Sequence, residues 1–155
     1  MDVMKRNGQN ILFIVELLSQ FCWIKVVNSE KASDLLEAIV ETVGPHVHPE
    51  GAVIRSDGAP GFQALRTLAE QEGSILKEFN ISLELGQAHH KNKNPCAELV
   101  IKEGHQAINR LENPTKVDTE LAVSMAKQIN HKIRGNGLSS WEVFTRRGIE
   151  KEQDI

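Results

Sequence analysis

The chain has 155 residues, of which 40% are hydrophobic and 25% are charged, and its formal net charge is −3 at pH 7. This length allows one compact domain with a buried core, and the charge argues against a protein that binds nucleic acid through an overall basic surface. No apolar run is long enough to cross a membrane or to form a signal-peptide core, so we expect neither a membrane protein nor a secreted one. The two cysteines are too few for a disulfide framework or a paired zinc-ligand motif.

The start of the chain predicts a polar leader and then two strands. Residues 1–10 are mostly polar, and we interpret them as the leader. The apolar run Ile11–Val15 predicts a strand that is buried on both faces. The segment Phe21–Val27 is rich in aromatic and β-branched residues and predicts a second strand. The short link between these strands predicts a hairpin.

The middle of the chain alternates between helical and strand patterns. Apolar residues at helical spacing predict a helix over 32–43, which the following Gly-Pro pair ends. The run Ala52–Ser56 predicts a third strand. Apolar residues over 62–79 predict a further helical region, although a glycine interrupts it. The run Ile81–Leu85 predicts a fourth strand.

The remainder of the chain predicts helices. Pro95 at a first helical position, with Asn94 as the cap, predicts a helix start, because the missing amide hydrogen of proline would be unpaired there in any case. An Asn-Pro pair at 113–114 ends this helix. The segment Asp118–Arg134 predicts another helix, and Ser139–Arg146 predicts a short last one.

The predicted element order is therefore β-β-α-β-α-β-α-α. It favours an α/β fold in which helices flank a mixed sheet. We expect one domain over 1–155, with the polar leader at 1–10 and a polar tail at 148–155. Ligand sites in such sheets gather at the carboxyl ends of the strands.

Three acidic residues stand at the ends or beginnings of predicted elements. Glu16 follows the first apolar run, Asp57 follows the third strand, and Glu98 lies in the first turn of the helix that begins at Pro95. Carboxylates from separate elements can bind hard divalent cations together, because Mg²⁺ prefers oxygen ligands. Taken singly, each acid also has a simpler interpretation as a solvated strand end, a turn residue or a favourable charge at a helix N-terminus.

Short motifs around these acids occur in the order known from one family. They are ELLSQFCW at 16–23, SDGAPGF at 56–62, HHKNKNPCAE at 89–98 and GLSSWEVF at 137–144. In these motifs the chain resembles the catalytic core of a retroviral or long-terminal-repeat retrotransposon integrase, and the resemblance extends over about residues 11–147.

The resemblance implies a fold, an activity and partners. The implied fold is ribonuclease-H-like, and the implied activity is metal-dependent processing of DNA 3′ ends followed by strand transfer. Glu16, Asp57 and Glu98 would be both the catalytic residues and the ligands of Mg²⁺ or Mn²⁺, with two ions expected. The implied partners are DNA and further copies of the chain, in a homodimer or higher integrase oligomer. The implied location is the nucleus or a viral or virus-like particle.

The same resemblance implies DNA contacts. The polar loop before Glu98 and one lysine beyond it carry the candidates: His89, His90, Lys91, Asn92, Lys93, Asn94 and Lys102. Lysine, asparagine and histidine side chains suit phosphate or base contacts. A solvated loop with no ligand explains the same composition equally well.

One departure from the family pattern leaves a second interpretation open. The family has aspartate where this chain has Glu16, and a displacement of about 1 Å in an active site can lower a rate on the order of 100-fold. A catalytically impaired or domesticated integrase-derived domain, acting as a DNA-binding, protein-binding or dimerisation module, is therefore the alternative. A related ribonuclease-H-like nuclease acting on RNA–DNA hybrids is a third.

Overall fold

A computed structural model describes residues 1–16, 18–86, 95–112, 116–135 and 137–145 of the chain, except for the side chains of 95–97. Its elements are β1 (Asp2–Arg6), β2 (Gln9–Val15), β3 (Cys22–Val27), α1 (Ala32–Thr42), a 3-10 turn (Gly44–His46), β4 (Ala52–Ser56), α2 (Pro60–Glu70), α3 (Ile75–Glu78), β5 (Ile81–Leu85), α4 (Pro95–Asn109) and α5 (Thr119–His131). Residues 140–145 form a further helical segment. The fold is α/β, as predicted. None of the helices within these ranges is long and apolar enough to cross a membrane.

The strand β1 lies where the sequence predicts only a polar leader, so the predicted element order lacks its first strand. Asn7 and Gly8 join β1 to β2 and both have positive φ, 48° and 78°. A two-residue turn with positive φ at both positions matches the right-handed twist of two antiparallel strands. The Asn-Gly pair is therefore the local signal of a hairpin between β1 and β2. The strand β1 itself gives no such signal, because it lacks a continuous apolar run.

The strands form two sheets. In the first, the order is β1-β2-β3, which confirms the predicted pairing of the strands on either side of Glu16. In the second, β4 and β5 are parallel, and their register runs from Ala52 opposite Ile81 to Ser56 opposite Leu85. Four consecutive residues of β2 are buried, which confirms that this strand is covered on both faces.

Backbone contacts divide the chain into two compact units, Met1–Leu12 with Lys25–Asn92 and Phe13–Ile24 with Lys93–Ile155. In the first unit, α2 packs against both α1 and β5. The side chains that fill this unit's core are apolar and buried: Leu35, Ile39, Ile54, Phe62, Leu65, Leu76 and Ile81. They come from every helix of the unit and from both strands of its parallel pair, because each of these elements has an apolar side to cover.

In the second unit, α4 packs against α5 around a core of Phe13, Val100, Ile108, Val117, Met125 and Ile129. The packing is close at Gly104, where a Cβ atom would stand 2.6 Å from Cε1 of the Phe13 ring. That ring is fully buried, so it cannot move into solvent to make room. Gly104 is therefore required in the middle of a helix, where glycine is otherwise unfavourable by about 1 kcal/mol relative to alanine.

A buried side-chain amide joins α5 to β3 in the same unit. The Nδ2 group of Asn130 donates to the carbonyl of Cys22 at 2.9 Å, and its Oδ1 accepts from the Cys22 amide at 2.8 Å. Both residues are almost completely buried. The amide thus pairs with both backbone polar groups of one strand residue, as a neighbouring strand would.

The helix boundaries largely follow the predictions. α4 begins at Pro95 as expected, and its expected cap, Asn94, lies in the part of the chain that the structure does not describe. α5 is capped by Asp118, whose Oδ1 accepts from the Leu121 amide at 2.7 Å. The predicted extension of α5 to residue 134 is wrong, because the backbone becomes extended at Lys132. The helical region over 62–79 is divided into α2 and α3 by a turn with a left-handed glycine at 73 (φ 80°).

Candidate functional site

Asp57 lies directly beyond the carboxyl end of the parallel pair β4–β5. The ladder ends with Ser56 opposite Leu85, and the Gly86 amide donates to the Ser56 carbonyl at 2.8 Å. The Asp57 side chain is exposed, and its Oδ1 accepts from the Ala59 amide at 3.0 Å. A carboxylate has about four acceptor positions, so this one bond leaves capacity for a further ligand. Both the position and the exposure therefore suit a ligand-binding acid.

Glu16 is placed in the turn between β2 and β3. Its Oε2 accepts from the backbone amide of Ser19 at 2.6 Å and also from the Ser19 hydroxyl. Its backbone carbonyl accepts from Gln20, which has a left-handed φ of 62°, and its amide donates to the Phe21 carbonyl. The carboxylate therefore stabilises the hairpin turn, and its predicted role as a metal ligand stays a prediction.

Glu98 is exposed in the first turn of α4. Lys102, a predicted DNA contact, is exposed four residues further along the helix, which is about one turn away. The other predicted DNA contacts, His89, His90, Lys91, Asn92, Lys93 and Asn94, fall outside the residues that the structure describes. The roles of Glu98 and Lys102 also remain predictions.

Asp2 is an acid that the predicted leader concealed. It begins β1, and the backbone nitrogen of the preceding Met1 lies 2.9 Å from the carbonyl oxygen of Arg55 in β4. Asp57 stands two residues beyond Arg55, so the start of β1 lies beside the end of β4. The structure brings Asp2 and Asp57 into the same unit, whereas Glu16 and Glu98 belong to the other.

The comparison with solved structures identifies the fold. The chain is similar to the catalytic core domain of BIV integrase in its crystal form I, with a TM-score of 0.66 and 21% sequence identity over 98% of this chain and 95% of that one. The chain has the fold of an integrase catalytic core. This confirms the ribonuclease-H-like fold expected from the motifs. No protein-family model matches the sequence. No curated protein sequence matches it either.

The acids of this integrase-core fold have the right chemistry for a hard cation. Mg²⁺ is commonly held by one or two carboxylates together with waters and substrate phosphates. Asp57, exposed at a strand end and with Asp2 on the adjoining strand, fits that description. Among the described side chains, no group of three or more His, Cys, Asp or Glu residues is arranged so that it could hold a metal ion.

An ion-pair cluster in the second unit centres on Glu103 of α4. Its Oε1 accepts from Nη1 of Arg134 at 2.7 Å and from Nζ of Lys132 at 3.3 Å. Burial raises the pKa of Glu103, but the hydrogen bonds and positive charges of Arg134 and Lys132 outweigh that effect, so its pKa lies below the ordinary value. These contacts join α4 to the segment after α5 and are structural.

The Cys22 thiol is also structural. Its side chain is buried, and burial raises the pKa of the thiol to about 12. A thiolate is the reactive form of cysteine, and at neutral pH almost none is present at such a pKa. Cys22 is therefore a packing residue of the second unit.

Proposed function

We propose that this chain is a polynucleotidyl transferase that acts on DNA phosphodiesters with the help of Mg²⁺ or Mn²⁺. The observation that carries the proposal is the exposed Asp57 carboxylate beyond the parallel strand pair of an integrase-core fold. When bound, two such ions would activate the attacking oxygen and stabilise the negative charge on the leaving oxygen.

The proposed reaction has two displacement steps of the same kind. In the first, a water oxygen forms a bond to phosphorus, and the bond from phosphorus to the 3′ oxygen of the preceding nucleotide breaks, which leaves a free 3′-hydroxyl. In the second, that hydroxyl attacks a phosphodiester of another DNA, and the displaced 3′ oxygen leaves with a proton. No bond to the protein forms in either step, so the side chains serve as ligands and as positioning groups.

Asp57 and Glu98 are two of the proposed metal ligands, and two acids are candidates for the third. Glu16 is the acid that the family motif indicates. Asp2 is the acid that lies beside β4, in the same unit as Asp57. Local geometry favours Asp2, because the carboxylate of Glu16 is already bonded twice by Ser19 within its own turn.

Substitution of the four acids tests the proposal in a Mn²⁺-dependent DNA nicking and strand-transfer assay. Asp57→Asn and Glu98→Gln are expected to lower the rate on the order of 100-fold or more, because each removes a charged ligand. Urea unfolding of the same variants checks that the loss is not a loss of fold. Full activity of Asp57→Asn would refute the proposal.

The third ligand is decided by two further variants in the same assay. If Asp2 is the ligand, Asp2→Asn abolishes activity. Glu16→Asp then does not raise the activity, because the carboxylate at position 16 bonds to Ser19 in the turn and does not bind the metal. If Glu16 is the ligand, Glu16→Asp restores the family's usual residue and raises the rate, whereas Asp2→Asn leaves the rate near that of the unmodified chain.

The DNA-binding part of the proposal concerns the lysine beyond Glu98 and the polar loop before it. Lys102→Ala is expected to weaken DNA binding and to reduce its dependence on salt, because each phosphate contact releases about one condensed cation. The residues His89 to Asn94 are proposed to contribute in the same way. Binding of a labelled DNA duplex at several salt concentrations measures this effect.

An assembly module is the second candidate function. Two apolar side chains on the packed helices are exposed, Leu99 on α4 by 52% and Val123 on α5 by 59%. Exposed apolar side chains that lie together in a patch mark surfaces that bind other proteins, and we propose that these two side chains belong to such a patch. On this proposal the chain forms a homodimer or higher oligomer without DNA chemistry. Sedimentation of the chain and of Val123→Lys distinguishes the two: a dimer that the substitution disrupts, together with no nicking activity, supports assembly alone.

A further inference from the structure

Asp57 is held in a short segment whose backbone is bonded at every carbonyl. The Asp57 carbonyl accepts from the Ser56 hydroxyl at 3.1 Å, and the Ala59 carbonyl accepts from the Gln63 amide at 3.0 Å. The Gly58 carbonyl between them accepts from Nε2 of Gln63 at 2.6 Å. Gln63 therefore makes two of these three bonds, one through its backbone and one through its side chain.

The two ends of this segment are fixed independently of Gln63. On the strand side, the Gly86 amide bonds to the Ser56 carbonyl at 2.8 Å. On the helix side, a Cβ atom at Gly61 would lie 2.4 Å from the Glu30 carbonyl oxygen, so the first turn of α2 rests directly on that backbone. With both ends anchored, the Gln63 side chain is the group that bridges them across Gly58.

We propose that Gln63 is a positioning residue for the Asp57 carboxylate. Through its bond to the Gly58 carbonyl it holds the turn in which the Ala59 amide donates to Oδ1 of Asp57, and so fixes which oxygen of that carboxylate faces away from the chain. This inference rests on the proposed function, in which Asp57 binds the metal. Nothing in the motif around Asp57 requires a glutamine five residues beyond Gly58.

The side chain of Gln63 is exposed, and this decides how its effect should be measured. Loss of an exposed hydrogen bond changes the global stability little, because water replaces the partner. Loss of the bridge frees the turn around Asp57, and a misplaced ligand weakens metal binding. A positioning role therefore predicts a local effect without a global one.

Three variants on α2 test the inference. Gln63→Met keeps the length of the side chain but has no donor. Gln63→Lys keeps a donor that can reach the Gly58 carbonyl. Arg66→Met is the matched control, because Arg66 is exposed on the same helix and pairs with Glu70 one turn further along α2.

The first measurement is the hydrogen-exchange rate of the Ala59 amide in the metal-free protein. Gln63→Met is expected to raise that rate about 3- to 10-fold, the range that the loss of one modest hydrogen bond allows. Gln63→Lys is expected to remain near the unmodified chain, and Arg66→Met to be unchanged. An Ala59 exchange rate that Gln63→Met leaves unchanged overturns the inference.

The second measurement is the dissociation constant of Mn²⁺, followed through water proton relaxation, with urea unfolding alongside. Gln63→Met is expected to weaken Mn²⁺ binding about 3- to 10-fold at an unchanged urea midpoint, and Arg66→Met to leave it unchanged. Equal Mn²⁺ affinity in Gln63→Met and the unmodified chain overturns the inference. Failure of the unmodified chain to bind Mn²⁺, or binding that Asp57→Asn does not weaken, refutes the proposed function instead, and the Ala59 exchange rate then still shows whether Gln63 orders the turn.

Discussion

Asn130 offers the sharpest test of how the second unit is held together. Its amide forms hydrogen bonds of 2.8 and 2.9 Å with the amide and carbonyl of Cys22, and the side chain is 4% exposed. Asn130→Leu keeps a similar volume but leaves both backbone groups of Cys22 buried without this partner. Each such group costs about 1–3 kcal/mol, so the variant is expected to lose about 2–6 kcal/mol of unfolding free energy. This is a large part of the 5–15 kcal/mol or so that is typical of a whole domain.

The assay is urea unfolding, with Asn109→Leu as the matched control. Asn109 is exposed at the end of α4, and its substitution is expected to change the unfolding free energy by about 0.5 kcal/mol or less. An Asn130→Leu variant that is as stable as Asn109→Leu would refute the reasoning, because it would mean that the paired amide contributes no more than an exposed one.

Asn130→Asp tests in which direction the folding stability changes with pH. The introduced carboxylate can still accept from the Cys22 amide, but it faces the Cys22 carbonyl with a second acceptor. Burial raises the pKa of the introduced carboxyl group above its value in the unfolded chain, which is about 3.9. The folded state then binds more protons than the unfolded state, so stability is retained below that unfolded pKa and falls as the pH rises through the folded one. Asn109→Asp is expected to lack this dependence.

Three further outcomes are expected. Gly104→Ala should destabilise the chain in urea unfolding, because the new Cβ meets a buried phenylalanine ring at 2.6 Å. The clash costs about 1–3 kcal/mol, and the better helix propensity of alanine offsets up to about 1 kcal/mol of it. Gly135→Ala, which has open space around it, should be within about 0.5 kcal/mol of the unmodified chain. Glu103→Gln should lose about 1–3 kcal/mol of unfolding free energy near neutral pH. Because the pKa of Glu103 is lowered, the difference should shrink as the pH falls through that lowered pKa and the unmodified chain also loses its ion pair with Arg134; equal losses at about pH 7 and about pH 3 would contradict this. The Cys22 thiol should resist alkylation in the native chain at about pH 8 and react on unfolding, as peptide mapping would reveal, whereas rapid native labelling would contradict its burial.

Much of the fold could be predicted from local patterns. The buried strand β2 is a short apolar run, and the helix start at Pro95 and the cap at Asp118 are encoded by residues next to the elements they begin. The β1 strand could not be found by hydrophobicity, because its residues are half-buried at most. The Asn7-Gly8 pair is a local feature that could have predicted it, because this pair is typical of a two-residue hairpin turn.

Local sequence patterns do not predict contacts between residues that are far apart in the chain. Asn130 and Cys22 are 108 positions apart, and Arg134 and Glu103 are 31 apart. Nothing next to Asn130 distinguishes it from a solvated asparagine near a helix end, and Lys132 and Arg134 could equally have been read as part of a basic surface. Burial gives these residues their roles, and burial depends on which elements pack together.

Local sequence patterns are also insufficient to identify the metal ligands of the candidate site. Glu16 follows a buried apolar run and is therefore an acid that the sequence predicts as a ligand, yet its carboxylate is used by the turn that this run leads into. The sequence does not predict Asp2 as a ligand, because Asp2 lies in the predicted polar leader, yet the nitrogen of the preceding Met1 is 2.9 Å from the carbonyl oxygen of Arg55, two residues before Asp57. Asp2 becomes a candidate ligand because the start of β1 lies beside β4, through a contact between Met1 and Arg55, which are 54 positions apart, and the residues around Asp2 do not reveal that contact. If Asp2→Asn abolishes activity and Glu16→Asp does not raise it, the third ligand is identified by the strand beside which it lies and not by the local sequence motif.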